Sequence, residues 1–268
     1  MQKTILITGS TDGIGLETAK ILVSRGHNVL IHGRNLSKIE EVKNILSDLN
    51  AKGTIESYQA DLSDLSAVID LAQAVTKKHD KIDVLINNAG IFKTPKPITA
   101  DGLDVRFVVN TIAPFLLTQK LLPLMDSNAR VINLSSAAQA SVNAEALAGK
   151  IKLADDLEVY AQSKLALTMW SRHMAHLLKN NGPVFIAVNP GSLLATKMVK
   201  EGFDMEGNVI SIGAKILIRL ALEDEFETAS GKYFDNDYGR LSSPHQDALN
   251  LQKSEAIVHT IENILDDI

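Results

Sequence analysis

Thr4-Ile5-Leu6-Ile7-Thr8-Gly9-Ser10-Thr11-Asp12-Gly13-Ile14-Gly15 opens the chain with an apolar run that breaks into three glycines. Ile5-Leu6-Ile7 reads as a buried strand. The glycines let the backbone turn tightly at its end and let a pyrophosphate approach closely. A helix beginning near Gly13 and Ile14 then aims free N–H groups at that anion. A glycine-rich turn with no ligand is the alternative, and the rest of the chain decides between them. Strands at 28–32, 54–59, 84–87, 130–134 and 185–189 alternate with helices at 14–25, 37–49, 65–79, 103–125 and 160–179. A short strand at 232–234 and a helix at 246–264 close the pattern. Such alternation implies a parallel sheet covered on both faces, and right-handed crossovers make it an α/β, doubly wound, Rossmann-type fold.

The 268 residues are expected to form one domain, since no Pro/Gly/Ser linker divides them. A net charge of −5 and a pI near 5.8 argue against a nucleic-acid surface. The absence of cysteine excludes disulfides, thiolate metal sites and cysteine nucleophiles. His173 and His176 lie one helical turn apart without a third ligand, so no metal site is expected. The first apolar run comes too early to leave room for a signal peptide, and the cytoplasm is the expected compartment. Residues 107–125 are interrupted by Asn110, Pro114, Gln119, Lys120 and Pro123, which fits a buried helix better than a membrane span. The apolar breadth of 112–125 exceeds one core face, so burial against a second subunit is expected.

Ligands of doubly wound sheets bind at the carboxyl ends of the strands. The loop of Gly9, Ser10, Thr11, Asp12, Gly13, Ile14 and Gly15 would hold the pyrophosphate. The second strand ends in Gly33-Arg34, where an acidic residue would hold the ribose 2′-hydroxyl of NAD and an arginine the 2′-phosphate of NADP. Arg34 therefore points to NADP(H), with a solvated turn arginine as the alternative. At the third strand end, Asp61 or Ser63 could equally cap a helix. Asn88-Ala89-Gly90 suits a turn passing close under a cofactor. Ser135 and Ser136 offer hydroxyls able to donate to a substrate carbonyl. Tyr160 and Lys164 share one helix face, where the cation would pull the phenol pKa down and make Tyr160 a proton donor or acceptor.

Taken together, the TGxxxGxG loop, Asn87-Asn88-Ala89-Gly90 and Tyr160-Ala161-Gln162-Ser163-Lys164 resemble the short-chain dehydrogenase/reductase family. Asp101-Gly102-Leu103-Asp104, Ser230-Gly231-Lys232-Tyr233-Phe234 and the spacing of 24 positions from Ser136 to Tyr160 resemble its retinol-dehydrogenase-like branch. The resemblance implies an oxidoreductase interconverting a carbonyl and an alcohol on a small-molecule substrate. It places Asn110, Ser136, Tyr160 and Lys164 in a catalytic tetrad, with Ser136 as the serine and Asn110 setting a water near the lysine. It also implies that Asp61, with Leu62, meets the adenine, that Lys164 binds the nicotinamide ribose, and that Pro190, Gly191 and Thr196 pass the nicotinamide. A homo-oligomer, dimer or tetramer, pairing the helices of 112–125 and Tyr160 is implied as well. Substrate loops are expected near 139–158 and 192–213, with 200–213 as a lid. A non-catalytic NADPH-binding regulator is the alternative, and it would need only the glycine loop and Arg34.

Overall fold

The computed structural model describes residues 1–49, 51–195 and 207–266. Eight strands form one sheet: β1 (Thr4–Ile7), β2 (Asn28–Gly33), β3 (Ile55–Gln59), β4 (Val84–Asn87), β5 (Arg130–Leu134), β6 (Val184–Asn189), β7 (Lys232–Asp235) and β8 (Arg240–Ser242). Their order is β3-β2-β1-β4-β5-β6-β7-β8. All neighbours run parallel except β8, which pairs antiparallel with β7. The order reverses between β1 and β4, so the crevice beyond their carboxyl ends is where a ligand of such a sheet sits.

Alternate side chains of the central strands feed two separate cores. Ile5, Ile7, Ile31, Ile86, Ile132 and Ile186 meet α1 (Gly13–Ser24), α2 (Leu36–Ser47) and α7 (Ser211–Leu222). Leu6, Leu30, Leu85, Val131 and Phe185 face the other way. They meet α3 (Leu65–Lys78), α4 (Val105–Leu124), α6 (Asp156–Leu178) and α9 (Leu251–Asp266). This is the period-two alternation of a strand buried on both faces. Two short helices, α5 (Ala144–Leu147) and α8 (Gln246–Leu249), complete the named elements.

Four sequence expectations change. The helix expected at 246–264 is two, broken at Asn250. β8 and α7 were not foreseen. The 139–158 segment is not all loop, since it contains α5 and the first turn of α6. The apolar breadth of α4 is taken up inside the chain: Phe107, Phe115, Leu116, Leu117 and Leu121 are all buried against this protein's own α3 and α6. A second subunit is therefore not needed to explain it. Val105–Leu124 is long and apolar enough to cross a membrane, yet 72% of its apolar window is buried within the protein.

Candidate active site

The glycine loop is stitched to the end of β4. Asn88 donates its side-chain amide to the carbonyls of Thr8 (2.9 Å) and Gly9 (3.0 Å). The backbone N–H groups of Asn88 and Ala89 both donate to Thr8 Oγ1 at 3.1 Å. Glycine is required by this closeness: a Cβ on Gly9, at φ +64°, would stand 2.9 Å from Ala89 Cα, and one on Gly15 2.4 Å from the Gly9 carbonyl oxygen. Asp12 caps α1 by accepting from the Gly13 N–H at 2.7 Å. Ser10 is fully buried and exchanges hydrogen bonds with the backbone of His32, while Ile14 lines the approach to Gly213.

His32 is a site residue the sequence reading missed; its only signal was a lone polar side chain inside an apolar strand. The Gly9 N–H donates to its Nδ1 at 3.1 Å, which leaves Nε2 to donate to the Ala60 carbonyl at 3.2 Å. The neutral ring thus ties the glycine loop to the end of β3. Burial holds its pKa down to about 4, against the raising effects of the Ala60 carbonyl and Asp61. The unfolded chain takes up a proton near pH 6.5 that the folded ring refuses until about 4, so this group makes stability fall as pH drops through that window. The expected loss is about 3 kcal/mol. Chemical denaturation of His32→Asn and the wild type across that window checks it, and parallel pH profiles would show that the ring is not responsible.

At the adenosine end, a Cβ on Gly33 would come within 2.6 Å of Thr11 Cγ2, so Thr11 occupies the space an acidic side chain would need. Arg34 is exposed beside it. Asp61 accepts from the N–H (2.9 Å) and hydroxyl (2.8 Å) of Ser63 in a local turn. Neither residue caps α3: Asp64 does, accepting from the N–H groups of Ser66 and Ala67. The Leu62 side chain belongs to the core, leaving only its backbone to face a ligand. Gly90 follows Ala89 at the other wall of the crevice.

At the other end, the side chains of Ser136, Tyr160 and Lys164 converge. The two adjacent serines separate cleanly. Ser135 is buried, with its hydroxyl on Thr168 Oγ1 (2.7 Å) and the Lys164 carbonyl (3.1 Å). Ser136 faces the Tyr160 phenol closely enough to draw its pKa down. The Lys164 ammonium donates to the Leu134 carbonyl at 2.7 Å and lies 5.7 Å from the Tyr160 ring centroid. Phe92 meets the Tyr160 ring edge-on at 5.2 Å.

The protonation pattern differs from the sequence expectation. Burial pushes Tyr160 up from 10.0, and Ser136 pulls it partly back. Burial also lowers Lys164 to about 8. Burial sets the direction for both groups.

Asn110 is buried. Its carboxamide is taken up by the N–H (2.8 Å) and carbonyl (2.9 Å) of Ile91 and by Ser163 Oγ (3.0 Å), so the side chain is not free to hold a water. It lies in a π turn, Val108–Ile112, inside α4. Pro114, four residues on, has no N–H for the Asn110 carbonyl, and this is the local cause for the departure from α geometry. Arg106, almost fully buried, pairs with Asp104 and with Asp156 at the start of α6, fixing the helix of Asn110 to that of Tyr160.

The turn after β6 is held from β7. Asn189 donates to Asp235 (3.0 Å) and Asp237 (2.8 Å), and Asn236 donates to the Pro190 carbonyl (2.9 Å). Gly191 follows at φ +123°. Thr196 lies outside the described residues, as do residues 200–206 of the expected lid; residues 211–213 begin α7 rather than a lid. Among the described residues, no group of three His, Cys, Asp or Glu is placed to hold a metal ion.

A family model described as short chain dehydrogenase matches residues 3–207. Retinol dehydrogenase 13 of Mus musculus is 31% identical over 260 residues, covering 90% of this chain and 78% of the mouse protein. Polyprenol dehydrogenase of Homo sapiens is 31% identical over 255 residues, covering 88% and 77%. A crystal structure of a protein from Mycobacterium Paratuberculosis aligns with a TM-score of 0.80 at 27% identity, covering 98% of this chain and 93% of that one. With its sheet order, its glycine loop and these matches, the chain belongs to the short-chain dehydrogenase family, oxidoreductases that interconvert alcohols and carbonyls with a nicotinamide nucleotide.

Proposed function

We propose that this protein is an NADP(H)-dependent oxidoreductase in which Tyr160 is the acid and base for a carbonyl/alcohol pair. The observation that carries the reading is Ser136 facing the Tyr160 phenol, with Lys164 one helical turn away. A dinucleotide fits the cleft: the glycine loop is a cradle that a Cβ on Gly9 or Gly15 would fill, at the N-terminus of α1. Gly9 to Gly15 would hold the pyrophosphate, Arg34 the 2′-phosphate, Asp61, Leu62 and Asn88 to Gly90 the adenosine side, and Pro190, Gly191 and Thr196 the nicotinamide side.

A nicotinamide nucleotide held there would supply a hydride for a substrate carbonyl. Ser136 donates a hydrogen bond to the carbonyl oxygen, where negative charge develops. Tyr160 gives its proton to that oxygen, and Lys164 stabilises the phenolate left behind. The Asn110 carbonyl, deprived of a helical donor by Pro114, is the group offered to a water that returns a proton towards Lys164. A regulator that only senses NADPH would have no use for this arrangement.

The test is oxidation of NADPH, and of NADH, against a panel of aldehydes, ketones, quinones and retinaldehyde. Turnover with NADPH supports the reading; failure across the panel, with NADPH still raising Tm, favours the regulator. Arg34→Ala separates the nucleotides more cleanly than an acid at Gly33, where Thr11 stands in the way. Losing a charged hydrogen bond should weaken NADPH about tenfold or more and leave NADH little changed, as read by fluorescence titration. An unchanged ratio would return Arg34 to a solvated turn residue. The reading also carries a single cytoplasmic domain that self-associates, and a monomeric mass in solution would count against the last.

A further inference from the structure

We propose that Tyr233 and Gln139 are positioning residues for Ser136, clamping its backbone carbonyl so that its hydroxyl stays on Tyr160. This rests on the role given to Ser136 and Tyr160 above. The Tyr233 hydroxyl donates to the Ser136 carbonyl at 3.0 Å, across the whole width of β5, β6 and β7. Gln139 Nε2 donates to the same oxygen at 2.9 Å. Two donors on one carbonyl fix the peptide plane that carries the serine. The Ala138 N–H, which donates to Ser136 Oγ at 3.1 Å, then sets the hydroxyl's direction.

The clamp lies partly outside the 3–207 span that the family model matches. Gln139 belongs to the 139–158 segment, and its Oε1 accepts from the His245 N–H at 3.4 Å, just ahead of α8. Tyr233 is buried at the start of β7, and burial, with Asp235 nearby, keeps its phenol protonated and therefore a donor. A buried tyrosine needs some acceptor in any case, so the discriminating readout must go beyond stability. Ser136 is the one group that lowers the Tyr160 pKa in this protein. A loosened Ser136 should therefore raise it.

The experiment compares full-length wild type, Tyr233→Phe, Gln139→Ala and Tyr160→Phe with the best substrate of the panel. For Tyr233→Phe the expected result is kcat reduced about tenfold, KM and nucleotide Kd within about twofold, and the Tyr160 limb of the kcat–pH profile for alcohol oxidation moved to higher pH. Gln139→Ala, in a partly exposed segment, should do the same to a smaller degree, and it carries the test if Tyr233→Phe does not fold. An unmoved pH limb in the variants that fold, or losses of kcat that only follow a lowered Tm, overturns the clamp. Turnover that survives Tyr160→Phe instead overturns the underlying mechanism. If no panel member turns over, the Tyr160 ionisation midpoint is read by ultraviolet difference titration with oxidised nucleotide present and Tyr160→Phe as the blank. An upward move in Gln139→Ala supports the clamp, and an unchanged midpoint overturns it.

Discussion

Tyr160→Phe should lower turnover by about a thousandfold or more while leaving the nucleotide bound. A positioned general acid contributes roughly 10²–10⁴ in rate, and the other three phenols are placed elsewhere: Tyr58 has its hydroxyl on Glu56 in the edge strand β3, Tyr233 is committed to the Ser136 carbonyl, and Tyr238 is exposed. The change removes one hydroxyl and its interaction with Ser136, which contributes about 1 kcal/mol to stability. The ring itself remains packed against Phe92. Saturating NADPH should therefore raise the Tm of the variant as it does that of the wild type. Substantial residual turnover would remove Tyr160 from the proton step. Loss of the NADPH-induced rise would mean that the substitution had damaged the cleft and had not tested the chemistry.

Gly15→Ala is the second large effect, and two physical contributions oppose each other there. Gly15 is inside α1, where alanine is preferred to glycine by about 1 kcal/mol on helix propensity alone. Its Cβ, however, would lie 2.4 Å from the Gly9 carbonyl oxygen and 2.5 Å from Asn88 Nδ2. The first is backbone, and the second is the amide that stitches the glycine loop to β4. Neither can give way without breaking the Asn88 bonds to Thr8 and Gly9. Overpacking costs about 1–3 kcal/mol, and the broken bonds add about 1 kcal/mol each, so the contact wins over the propensity. The expected result is a Tm several degrees lower and a protein that NADPH no longer stabilises. A more stable Gly15→Ala with normal nucleotide binding would show that the loop has slack and that the close approach is not required.

The central strands were legible because β1, β2, β4, β5 and β6 carry short apolar runs buried on both faces, as with Ile5 and Leu6 in opposite cores. β8 escaped because Arg240-Leu241-Ser242 is too short and too polar to show a period. α7 escaped because its glycine, Gly213, read as lid rather than as a contact with Ile14 and Leu194. At the site, residue types and spacings singled out Tyr160 and Lys164 but could not separate Ser135 from Ser136, since neighbours at a strand end point to opposite sides. The sequence singled out Asn110 without showing that its carboxamide is spent on Ile91 and Ser163, partners remote in the chain. His32 and Tyr233 act through contacts with residues far away in the chain, and nothing in their local sequence announces a partner.

Those distant contacts impose an order of assembly. A chain made from its N-terminus can tie Asn88 to Thr8 across 80 residues as soon as β4 has emerged. Ser136 waits 97 residues for Tyr233, and Ser141 waits 106 for Asp247. Because early parts of a nascent chain organise first, a newly made molecule shapes its nucleotide cleft well before its serine is seated. Release of the chain in that interval would leave Asn88 tied to the glycine loop and Ser136 without the hydroxyl of Tyr233.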